Sequence, residues 1–362
     1  LESDTLTVRD TSVTVNRVAS DGSVLPVDDA GADLRTTDDG HIVLTTGSAA
    51  TVTEGGDSDG RGVDASGSGN VLLHALDGDM DLQSGIAATD GHISLAVDSG
   101  NILQNAGSDI VTAGTIDLVS AGNITMSPGV LTRSTGEDVR LEAGAGDINV
   151  ARVVAEGGDS SIGLFAGGDI LDGGDAAAED LQAANLLMQS AGATGKDSVS
   201  GTLDHLEIAA DNVSVESGSH GIFLTETDAV TVRNVWTSVN RVADDASTSP
   251  VDNSQEDLYT KGDGNVVLNA GGTITVREGE IDVLSDRENG ADETDHWGVS
   301  AAGSGNVLLS ATAGDLDVRG GVATSAGHLS LLVDDGDFAQ GPGGDISAGG
   351  VGTVDVEARA GS

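Results

Sequence analysis

Gly69-Asn70-Val71-Leu72-Leu73-His74-Ala75, followed by Gly78-Asp79-Met80-Asp81-Leu82, is the first clear instance of a phrase that returns four more times before residue 173. It reads again as Gly91-His92-Ile93-Ser94-Leu95-Ala96-Val97 with Gly100-Asn101-Ile102. Three further copies are centred on Ile116 and Ile124, on Val139 and Ile148, and on Ile162 and Ile170. The first apolar residue of each copy falls at 71, 93, 116, 139 and 162, a step of 22 or 23 residues. Within each arm apolar residues alternate with polar ones, the period of a strand with one buried face. The arms are short and bounded by Gly, Asp, Asn and Ser, which supply turns. Two short strands and a turn-rich remainder cannot enclose a core alone, but successive copies stacked on one another can. The chain is therefore expected to be all-β, a parallel β-helix with coils of about 22–23 residues, in which Ile93 lies over Val71 and under Ile116.

A longer repeat encloses the short one. Thr5-Leu6-Thr7-Val8-Arg9-Asp10 and Val15-Asn16-Arg17-Val18-Ala19 return as Ala229-Val230-Thr231-Val232-Arg233-Asn234 and Val239-Asn240-Arg241-Val242-Ala243, an offset of 224. By Gly303-Ser304-Gly305-Asn306-Val307 the offset to Gly67-Ser68-Gly69-Asn70-Val71 is 236, so twelve residues have been inserted. Residues 1–228 are read as a first copy of a long unit and 229–362 as a second, truncated copy continuing the same rod, with an acidic loop insert at about 280–298. Both ends look cut, as in a fragment of something longer. Residues 173–228 are the least regular. Residues 176–189 have some helical propensity, but strand structure is expected there, with Leu181 and Leu186–Met188 facing in.

Sixty acidic against fifteen basic residues give a net charge of −45. Such a surface repels nucleic acid and anionic membrane, and suits high salt or a crowded exterior. No cysteine is present, which removes thiolate chemistry, Cys-type zinc sites and disulfides. No apolar run is long enough to span a membrane.

The phrases Gly69-Asn70-Val71-Leu72-Leu73 and Gly146-Asp147-Ile148-Asn149-Val150, with Gly221-Ile222-Phe223-Leu224-Thr225-Glu226-Thr227-Asp228-Ala229-Val230, resemble the filamentous-haemagglutinin-like giant repetitive surface proteins of bacteria. The resemblance covers nearly the whole chain. It implies a right-handed parallel β-helix, export to the bacterial cell surface, and a role in adhesion or in a surface filament. The partners it implies are neighbouring repeats of the same long chain or filament, surface glycans and other cells.

Candidate chemistry is sparse. His41, His92 and His328 occupy a Gly-His slot that Asn70, Asn265 and Asn306 fill elsewhere, which marks a turn or outward position. His205, His220 and His296 show no zinc-ligand spacing. Asp77, Asp79 and Asp81 form a carboxylate row, echoed by Asp315 with Asp317 and by Asp335 with Asp337. These are the weak calcium candidates, and Ca2+ is the one cofactor considered; the EF-hand and Gly-rich nonapeptide patterns are absent. Asn123-Ile124-Thr125 and Asn212-Val213-Ser214 match the glycosylation sequon, a pattern common by chance. Trp236 and Trp297 are read as packing or loop-anchoring residues before sugar-stacking ones. The rival to a structural, adhesive rod is a polysaccharide-active β-helix enzyme, a lyase or hydrolase. It would need a carboxylate cluster with a basic residue on one groove face, and neither Lys196 nor Lys261 lies in a carboxylate row. The third alternative is a self-assembling filament or sheath subunit. No catalytic residue is assigned. Asp117, which alternation turns away from the core, is expected to tolerate substitution.

Overall fold

The computed structural model describes residues 3–174, 179–196, 204–278 and 297–359. Among them there is no helix. Thirty-five strands form one long parallel sheet that is not closed into a barrel, and four more form two separate antiparallel hairpins. Among the described residues no helix is long and apolar enough to cross a membrane.

The short repeat is visible as a pairing rule. From Leu34–Thr36 to Val153–Ala155, each strand pairs in parallel with the strand three places further along. Ile93 pairs with Val71 on one side and Ile116 on the other, and Ile102 lies between Met80 and Ile124. Inward residues of successive trios therefore stack on like residues. Val71, Ile93, Ile116, Val139 and Ile162 form one column of a single continuous core. Trios from Leu34 to Glu226 build about eight layers, or about 38 Å at roughly 4.8 Å per layer. Dividing 224 residues by the short period would give ten. The difference arises because one hairpin leaves the stack and some turns are longer, as in the step from Ile42 to Val71.

The glycine at the arm start has a steric cause. A Cβ at Gly91 would collide with the carbonyl oxygen of Gly69, and one at Gly114 with that of Gly91. Backbone corners stack too closely for any side chain, so the 22-residue period of glycine is imposed by the layer spacing.

Residues 181–190 are a strand, as expected, with Leu181, Leu186 and Met188 in the core; Leu187, expected to face in with them, alternates to the other side of the strand and is buried there. Across the junction between the long units the ladders exchange roles. The ladder containing Ile42–Thr46 reaches Leu206–Ser217 and continues through Val215 onto Leu258–Thr260. In the second unit Leu258–Thr260 is the counterpart of Leu34–Thr36, not of Ile42–Thr46. Likewise Ile170 pairs with Thr194, Thr194 with Ile222, and Ile222 with Val266, the counterpart of Ile42. The sheet passes the junction without a break, and the second unit is turned by one face. Of the acidic insert expected at about 280–298, residues 280–296, His296 among them, lie outside the described residues, while Trp297 and Gly298 begin the strand Trp297–Ala301.

The long repeat conceals a second kind of element. Residues 11–31 and 235–255 leave the stack as hairpins, Thr11–Val18 with Val24–Gly31 and Val235–Val242 with Thr248–Gln255. The turns are alike: Asp21 accepts from the amide of Ser23, and Asp245 from that of Ser247.

Candidate functional site

The second hairpin does not project into solvent. Its strand Val235–Val242 lies back over strands of the first unit, across Ile93–Val97, Ile116–Ser120, Val139–Ala143, Ser161–Ala166 and Leu181–Ser190. The outward residues of those strands become a buried interface, and the expectation for Asp117 is corrected there. Asp117 points away from the core as alternation requires, yet it is 1% exposed. Its Oδ1 accepts from Arg140 Nη1 at 3.0 Å and its Oδ2 from Arg241 Nε at 2.6 Å. Arg140 also reaches Glu142 and Asn253 Oδ1, and its guanidinium lies 5.0 Å from the centroid of the Phe165 ring. Two arginines thus hold one buried carboxylate, Arg140 through Nη1 and Arg241 through Nε, while Arg241 Nη2 is buried without a hydrogen-bond partner. Burial works against the charge of Arg241, but Asp117 and Glu142 more than offset it and hold its pKa above the usual value.

Around this cluster the hairpin is fixed by backbone contacts. Ser94 Oγ accepts from the amide of Val242, Thr115 Oγ1 from that of Asn240, and Asp138 Oδ2 from that of Ser238. Burial raises the pKa of Asp138, although the amides of Ser238 and Ser161 pull it down. A Cβ at Gly163 would meet the Thr237 methyl at 2.7 Å, so glycine is what lets the hairpin approach. Leu72 and Leu187, outward by alternation, are buried on this same side of the stack. At the hairpin tip a cleft of about 270 Å3 remains, lined by Leu72, His74, Asp117, Val119, Arg241 and Val242 among others. His74 there contacts Asp98 at 3.0 Å.

The slots shared by Asn, Asp and His have a common role. Asp79 Oδ1 accepts from the amide of Asn101, Asn101 Oδ1 from that of Asn123, Asn123 Oδ1 from that of Asp147, and Asp147 Oδ1 from that of Asp169. Along the other corner His41 Nδ1 accepts from Asn70, Asn70 Oδ1 from His92, and His92 Nδ1 from Thr115. Each side chain closes a turn by accepting an amide of the next layer. Asn, Asp and unprotonated His can all do so. Burial lowers the pKa of His92, with Glu137 pulling the other way, which favours the neutral ring, the form in which Nδ1 can accept.

The calcium candidates divide by role. Asp79 and Asp315 are acceptors of this kind, Asp315 Oδ1 taking the amide of Asp337. Asp81 binds Gln83 and Asn105, and Asp317 pairs with Arg319. Asp77 is exposed, and the backbone carbonyl of Asp335 accepts from the amide of Gly314. The three carboxylates that do converge among the described residues are Asp33, Asp57 and Asp59, with ligand atoms within 4.8 Å of one another. Burial raises the pKa of Asp33, against the amide of Gly55, while Asp57 and Asp59 add to the rise and Arg35 pairs with Asp59 at 3.0 Å.

Two further carboxyls are buried in the junction. Glu226 accepts from the amides of Ala210 and Asp228, and burial pushes its pKa up to about 8 against those bonds, with Asp228 adding to the rise. Asp180 accepts from the amide of Glu207 and is raised by burial, with Asp172 and Glu207 adding to it. Trp236 stands on the outer side of the second hairpin, exposed. Compared with protein-family models, curated proteins and solved structures, the chain finds no match.

Proposed function

We propose that this chain is a right-handed parallel β-helix acting as a structural, adhesive segment of a long extracellular rod at a bacterial cell surface. The observation that supports this best is the passage of the parallel sheet through the junction between long units with no break in pairing. A unit whose end is shaped to receive the start of the next can be repeated to extend reach. The polar chemistry points the same way. The slot residues are spent on joining one layer to the next, and the buried cluster at Asp117 is spent on holding a hairpin. The strong negative charge keeps such an extended surface soluble and selects against anionic partners.

Negative-stain imaging of the native material, with an antibody to this segment, tests the proposal. Thin rods projecting from the cell with one end anchored support it; free end-to-end polymers would favour a sheath or filament subunit. Incubation with uronate polysaccharides and calcium, followed by absorbance of unsaturated products, addresses the enzyme alternative, and robust turnover would replace the rod reading.

A further inference from the structure

The two hairpins have one design and opposite environments. Each has two eight-residue strands joined by five residues, and the sequences coincide at Val15 and Val239, Asn16 and Asn240, Arg17 and Arg241, and Val18 and Val242. In the second hairpin Thr237, Val239 and Val242 are 1%, 0% and 3% exposed against the first unit. Their counterparts Val13, Val15 and Val18 are 60%, 56% and 68% exposed. Five of the ten large hydrophobics exposed among the described residues sit on this one hairpin. Arg17, the counterpart of the arginine that holds Asp117, has no ion pair among the described residues.

We infer that the first hairpin is a strap for a second copy of the unit stacked ahead of it, and that its inner face fits strands equivalent to Ile93–Val97 through Leu181–Ser190 of that copy. This rests on the reading of the chain as a stack that repeats. The internal junction supplies the template: hairpin two leaves the stack just after Val230–Val232 and runs back over the preceding layers. Hairpin one leaves just after Leu6–Val8, the counterpart of that strand. In this register Arg17 meets the aspartate equivalent to Asp117, and Asn16 the threonine equivalent to Thr115.

Two substitutions improve the fit. Thr237 buries its hydroxyl with no hydrogen-bond partner, and the first hairpin has isosteric Val13 at that position. Asn253 accepts from Arg140, and the first hairpin offers the carboxylate of Asp29, a stronger acceptor for a guanidinium. Val24 and Leu25 correspond to Thr248 and Ser249, which stay exposed in the docked hairpin, and play no part in this fit.

The test is to join residues 32–224 ahead of Leu1 of the full chain, which supplies the receiving face without duplicating the hairpin peptide. Hydrogen exchange at residues 11–18 is then compared with the 362-residue chain. Slowing by a hundredfold or more is expected. Val15→Asp should leave the melting temperature of the 362-residue chain unchanged and lower that of the extended chain by several degrees. If the extended particle lengthens by about 40 Å while residues 11–18 exchange as freely as before, the strap inference fails and the stack stands. If the particle does not lengthen, the stack reading fails and the strap with it.

Discussion

Ile116 and Asp117 are adjacent, point to opposite sides of one strand, and are both buried. Ile116 is enclosed by its own column; Asp117 is covered by a hairpin 124 residues away. Ile116→Asp should abolish cooperative folding, since it places an unpaired charge in the core at a cost of several kcal/mol. Asp117→Lys should cost about 3–5 kcal/mol, because it sets a third positive charge against Arg140 and Arg241. Chemical denaturation checks both, and a neutral Asp117→Lys would remove the interface described above. Glu226 gives a pH prediction with a definite sign. Its folded pKa of about 8 exceeds the 4.5 of an ordinary glutamate, so the folded state holds the proton more tightly. Its contribution is therefore largest below about 4.5, declines as pH rises, and is lost above about 8. Glu226→Gln cannot lose a proton. The melting temperature of the parent minus that of Glu226→Gln should fall by several degrees between pH 5 and pH 8, whereas a constant difference would mean that Glu226 titrates normally.

At the scale of elements, strands were legible wherever the decision is local. The alternation in Ile93-Ser94-Leu95-Ala96-Val97 fixes which side chains face in, and the structure agrees for Ile93, Leu95 and Val97. What could not be read was the fate of the outward side, because that depends on a contact made far along the chain. Ser94 and Asp117 look like solvent positions in any window of sequence. The hairpins did leave a signal. Alternation in Thr11–Val18 and again from Val24, separated by Ala19-Ser20-Asp21-Gly22-Ser23, is a hairpin pattern that the long repeat duplicates. It was masked because the same alternation also suits a strand of the stack. The two hairpins make a matched experiment within one chain. Val239→Asp should destabilise by about 3 kcal/mol or more, since it buries a charge against the first unit. Val15→Asp should stay within about 0.5 kcal/mol. Equal effects in denaturant titrations would show that the hairpins do not differ in environment.

At the scale of the molecule, the 22-residue period carried most of the architecture, since a repeat that cannot enclose its own core must stack. The role exchange between ladders at the junction had no such signal. It depends on how the irregular stretch 181–226 distributes its strands over the faces, and that stretch departs from the period. The functional reading rests on the same continuity. Since the chain has no cysteine, pairs of spin labels can be placed on engineered cysteines at will. Thr51, Asp81, Leu103, Thr125, Asn149 and Leu171 follow one another outward along a single ladder, which continues through Phe223, Val267 and Leu308 to Ser330. Labels at Thr51 and Leu171 are five layers apart and should lie about 24 Å from each other; labels at Thr51 and Ser330 are ten layers apart and should lie about 48 Å from each other. A pulsed electron-spin distance that doubles between these two pairs is the predicted result. Equal distances, or a second distance shorter than the first, would contradict the stack.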